Sequence, residues 1–210
     1  MAFLAAQEYV PLDPAIEYPL RDIVLLAVLL IFSRGVIELH SYHRLETALI
    51  GVAVFVIWIA PDVASPNYRH FWLFQNWLFQ NSLVGSTGSP PAESVLLKPI
   101  VLWSRIFRAV VLVPIIEELF WRAWLMRWLI SPEFEKIPLG TYKPAAFWIT
   151  AALFAAEHGS YWDVGLVTGI IYNLWMMRTR SLGDCILVHA ITNACLCGYV
   201  VATHHWEYWM

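Results

Sequence analysis

Three ionisable residues interrupt the apolar run from Val111 to Met126: Glu117, Glu118 and Arg122. A charged side chain near the centre of a bilayer costs about 2.5–3.5 kcal/mol, so such groups are candidates for function. At about 100° per residue Glu118 and Arg122 share a helix face and can pair, whereas Glu117 points about a quarter turn away. The pair offsets one carboxylate and leaves the other free for a separate role. A buried ion pair whose spare carboxylate helps helices associate is the purely structural alternative. Pro114 disrupts the hydrogen bonding of the preceding turn. A helix restarting there would aim free N–H groups at the carboxylates. Two further pairs share helix faces at four-residue spacing, Phe154 with His158 and His189 with Asn193. A carboxylate, two imidazoles and an amide suit hydrolysis. A glutamate can take a proton from water, and His and Asn donors can stabilise the oxyanion of a tetrahedral intermediate. No serine or cysteine stands out as a nucleophile beside these groups, so attack by an activated water is the simpler chemistry.

The elements that must bring these groups together are membrane helices. Of 210 residues, 60% are hydrophobic and 14% charged, with 12 tryptophans and a mean hydropathy of +0.60. Soluble domains run at about 45–50% apolar and about 25% charged. The net charge of −3 and the lack of a Lys/Arg-rich stripe exclude nucleic acid as a partner. The fold class is all-α: a single integral-membrane domain over 1–210, a polytopic helical bundle with about six crossings. These fall at about 22–39, 45–61, 110–130, 145–159, 163–178 and 184–203, each measured against the ~20 apolar residues that span a bilayer. The first twenty residues lack the basic start of a signal peptide. The 62–98 connection, with its FWLFQNWLFQN run, suits an interfacial segment, and Lys98, Arg105 and Arg108 mark the start of the next apolar stretch as interfacial. Arg44, then Arg127, Lys136 and Lys143, then Arg178 and Arg180 follow alternate crossings. The positive-inside rule places them in the cytoplasm and both termini outside, in a multi-pass protein of the cell (inner) membrane. At about 1.5 Å per residue, Glu117 and His158 lie about 20 Å from the cytoplasmic ends, Arg122 about 12 Å, and His189 and Asn193 about 10–16 Å. The groups can therefore meet at middle depth.

EE-x3-R at Glu117, Glu118 and Arg122, F-x3-H at Phe154 to His158, and H-x3-N at His189 to Asn193, in this order, resemble the CPBP family. These are intramembrane proteases related to type II CAAX prenyl endopeptidases and to bacteriocin-processing Abi proteins. The likeness covers a catalytic core of about residues 105–204. It implies a glutamate-dependent endopeptidase acting on a membrane-anchored peptide or protein. On that pattern Glu117 activates the water, with Glu118 and Arg122 supporting it. His158 helps to hold water or substrate, and His189 and Asn193 form the oxyanion hole. No cofactor is needed on this reading. The alternative is a zinc enzyme with Glu117, His158 and His189 as ligands, since two imidazoles and a carboxylate suffice for an open catalytic site. IPLGTYK, EHGSYWDVGLVTGIIYN and RTRSLGDC also resemble the bacterial CAAX-protease-related proteins associated with exosortase-type sorting, which implies cleavage near a C-terminal membrane-anchor signal.

Other positions read as structural. Cys185, Cys195 and Cys197 fit no zinc or redox spacing. Gly165, Gly169 and Asn173 form a close-packing face with an amide hydrogen bond. Arg34 and Glu38 pair, His40, His43, His204 and His205 anchor helix ends, and Trp206, Tyr208 and Trp209 form an interfacial belt. Glu157 has no assigned role. A non-catalytic scaffold and a proton-coupled transporter are the rival classes. Both glutamates speak against the first, and the absence of an inverted repeat against the second.

Overall fold

The computed structural model describes residues 12–33, 35, 39–71, 74 and 92–209, and among these all regular structure is helical. Seven helices follow in order: α1 (Pro14–Val28), α2 (Arg44–Ala64), α3 (Glu93–Leu96), α4 (Pro99–Trp128), α5 (Pro144–Glu157), α6 (Trp162–Thr179) and α7 (Leu182–Thr203). Their starts are written locally. Asp13 caps α1 by accepting from Ala15 N–H, and Ser181 caps α7 through Asp184 N–H. Proline stands at the first position of α1, α4 and α5, where its missing N–H removes no bond.

By length and apolar composition α2, α4 and α7 can cross a membrane, and α5 is apolar but shorter. The six expected crossings would also need α1, α5 and α6. The stretch expected to be interfacial before residue 110 and the crossing that follows it form one helix: α4 runs for 30 residues from Pro99, about 45 Å at 1.5 Å per residue, so it outreaches a ~30 Å hydrocarbon core. Its first turns are polar because Arg105 donates to Tyr18 Oη and Arg108 pairs with Asp22 at 2.7 Å, both partners on α1. Arg34, Glu38 and most of the expected interfacial segment at 62–98 lie outside the described residues.

The chain packs as pairs, α5 against α6, α2 against α7 and α1 against α4, with α7 central between α2, α4 and α6. The small-residue face works as expected. A Cβ on Gly165 or Gly169 would come within 3.3 Å of the Cα of Ala155 or Ala151, and Asn173 donates to the Phe147 carbonyl at 3.0 Å. At one end of the bundle Arg178 meets Glu46 and Arg127 donates to the Ile137 carbonyl. The loops carrying Arg44, Lys136 and Arg180 share that end, since Gly140 lies against Met176 and Arg180. There the buried Asp184 accepts from Ser41, from the backbone N–H groups of Tyr42 and His43, and from Thr47, which caps the start of α2 from another helix. At the opposite end Arg69 joins Asp62, Asp163 and the Ser160 carbonyl.

Candidate active site

Two π-helical turns, Arg108–Leu112 and Leu119–Leu125, bracket Val113–Glu118 in α4. Such turns recur at functional sites because they re-aim side chains without ending the helix. Here the first one accommodates Pro114. The expected restart of the helix, with N–H groups free for the carboxylates, does not occur, because the chain widens by one residue and continues.

Glu118 and Arg122 are both fully buried and pair at 3.1 Å, as their spacing requires. The same Glu118 oxygen accepts from His189 Nδ1 at 2.9 Å, a link across 71 residues that spacing could not disclose. Arg122 makes its one hydrogen bond through Nη1, and its guanidinium lies 4.7 Å from the Phe154 ring centroid and 5.4 Å from that of Tyr172. The rings receive the faces of a cation whose remaining N–H groups meet no oxygen. The phenylalanine of F-x3-H thereby acquires a reason, and Tyr172, which the sequence did not single out, joins the site. Tyr172 also donates to Thr192 at 2.8 Å.

Glu117 points elsewhere. It lines a cavity of about 160 Å3 together with Phe154, His158, His189 and Asn193. Its Oε2 is buried with no hydrogen-bond partner, as is Thr168 Oγ1 on the same wall. The cavity is polar enough and large enough for ordered water. His158 Nδ1 contacts the Phe154 carbonyl at 2.7 Å. A carbonyl only accepts, so Nδ1 carries the proton and neutral His158 keeps a lone pair on Nε2. By the same logic His189, whose Nδ1 donates to Glu118, can donate through Nε2 only when both ring nitrogens carry a proton. Asn193 Nδ2 donates to the Ala109 carbonyl at 2.7 Å, leaving its second N–H. Glu157 does not line the cavity but lies within electrostatic range of Glu117 beside the Trp121 indole.

The aromatic tail turns inward. Trp206 is buried beside Leu96 and Val200, and Tyr208 and Trp209 wall the far side of the cavity with Trp58. Of the cysteines, all free, Cys185 and Cys197 are buried and Cys197 also borders the cavity. Among the described residues no three His, Cys, Asp or Glu side chains are grouped to hold one metal ion. Glu117, His158 and His189 share a cavity wall, and each imidazole commits Nδ1 to another partner, which leaves Nε2 as the atom it could offer to a ligand.

A helical membrane bundle that gathers an unpaired glutamate, a buried Glu–Arg–His group and an amide around one cavity has the outfit of an intramembrane hydrolase. Residues 99–195 match the family described as type II CAAX prenyl endopeptidase Rce1-like. This stretch runs from the first residue of α4 to just past Asn193 and holds all six site residues, so the part of the chain that carries the site is the part similar to that family of intramembrane proteases. No curated protein and no solved structure matches the chain.

Proposed function

We propose that the protein is a glutamate-dependent endopeptidase that hydrolyses a peptide bond of a membrane-anchored protein with an activated water. The observation that carries this reading is the division of labour between adjacent carboxylates: Glu118 is committed to Arg122 and His189, while Glu117 faces the cavity without a cation. Glu117 takes one proton from a water held between it and His158 Nε2, and the hydroxide adds to the scissile carbonyl carbon. The oxyanion so formed accepts hydrogen bonds from the His189 imidazolium and from the second N–H of Asn193. Collapse breaks the C–N bond, and the proton on Glu117 passes to the leaving amine. Glu118 and Arg122 position His189 and touch no reacting atom.

The cavity lies towards the end of the bundle opposite the basic loops, at the level of Trp58 and Tyr208. This supports a substrate whose cleaved bond lies near the non-cytoplasmic face of the cell membrane, as for a C-terminal membrane-anchor sorting signal. The test is cleavage of a membrane-anchored peptide by purified protein. Glu117→Gln keeps the volume but cannot accept the proton, so turnover is lost while the protein stays folded. Full activity in that variant refutes the assignment.

A further inference from the structure

Asn193 is held by a backbone carbonyl that an unbroken α-helix would not offer. In the π turn of α4 the Val113 N–H reaches back five residues to the Arg108 carbonyl. The next bond in that register would run from residue 114 to the Ala109 carbonyl, but residue 114 is proline and has no N–H. Ala109 is therefore left with an open acceptor in an apolar helix, where an unsatisfied carbonyl is costly. Asn193, on α7, donates to it at 2.7 Å. Ala109, Val113 and Glu117 follow one another at four-residue spacing along the same cavity wall, and Asn193 lines that cavity opposite them. One amide hydrogen fixed on Ala109 leaves the side chain little freedom and keeps the other directed by the same bond.

We propose that Pro114 is a positioning residue: by withholding its N–H it reserves the Ala109 carbonyl for Asn193 and so sets the amide that receives the oxyanion. Pro114 touches no reacting atom and acts only through this bond. The proposal rests on the oxyanion role given to Asn193 above, and it explains why a proline is tolerated inside a 30-residue membrane helix three residues before the glutamate. A restored N–H at 114 would compete for Ala109 O, and Asn193 would lose its anchor.

The experiment is a cycle of four proteins, wild type, Pro114→Ala, Asn193→Ala and the double variant, each measured for kcat, KM and stability. Pro114→Ala is expected to lower kcat on the order of 10²-fold, the cost of misplacing a group by about an ångström, with KM little changed. In the double variant kcat falls no further than in Asn193→Ala alone. In stability, Asn193→Ala destabilises the Pro114 protein and leaves the Pro114→Ala protein unchanged. Wild-type kcat in Pro114→Ala, or losses that multiply in the double variant, overturn the inference. Additive stabilities overturn it whatever kcat does. Full activity in Asn193→Ala refutes the oxyanion role instead, and the stability cycle then still reads the bond. Pro114 is buried, so if Pro114→Ala does not fold, Pro114→Val, which keeps the volume and also supplies an N–H, takes its place.

Discussion

Replacing Glu118 with glutamine should cost stability and activity by separable routes. Both Glu118 and Arg122 have no exposed surface, and one Glu118 oxygen serves Arg122 Nη1 at 3.1 Å and His189 Nδ1 at 2.9 Å. Removing one member of a buried pair strands the other charge, at about 3–5 kcal/mol. The Gln oxygen can still accept one of the two bonds, which returns about 1 kcal/mol. The Phe154 and Tyr172 rings hold the guanidinium in both proteins and change nothing in the difference. About 2–4 kcal/mol should therefore be lost from a total that for most proteins is about 5–15 kcal/mol. Adding Arg122→Met removes the stranded cation and should recover stability to within about 1 kcal/mol, since buried pairs are often replaced by apolar side chains without loss. Activity should not return, because His189 still lacks the carboxylate that holds its ring in place. Denaturant unfolding in micelles, run beside cleavage of a membrane-anchored peptide, separates the two effects. A Glu118→Gln protein as stable as wild type would refute the buried-hub argument, and a double variant that regained activity would refute the positioning of His189.

Glu117→Gln, by contrast, should abolish turnover and leave unfolding unchanged, since this carboxylate pairs with no cation; a large loss of stability would show that it is structural. Activity should survive chelation, with elemental analysis finding well below one metal per chain. Loss on chelation that zinc restores would require Glu117, His158 and His189 to regroup as ligands. Gly183→Ala should destabilise by about 1–3 kcal/mol or more, because a Cβ there would come 2.1 Å from the His40 carbonyl oxygen, and this should leave kcat of the folded fraction unaltered.

What the sequence determined about this protein is what composition and helical periodicity control. The apolar runs could satisfy their backbone only as helices. Four-residue spacing fixed the Glu118–Arg122 pair, turned Glu117 aside from it, and put Gly165, Gly169 and Asn173 on one packing face. Those same spacings carried the resemblance to the protease family. The tertiary structure decided what depends on contacts between distant segments. Spacing within α4 cannot show that Glu118 also takes His189, that Phe154 and Tyr172 flank Arg122, or that Asp184 caps α2 from α7. Nor could a helical period of 3.6 anticipate the π turns. Pro114 read as a break, but the bundle packs both sides of it, so one widened turn proved cheaper than separating two helices. The inward turn of Tyr208 and Trp209 has the same origin: aromatic residues next to a helix end suit an interface or a cavity wall equally, and only the hollow left between α2, α4 and α7 selects the second.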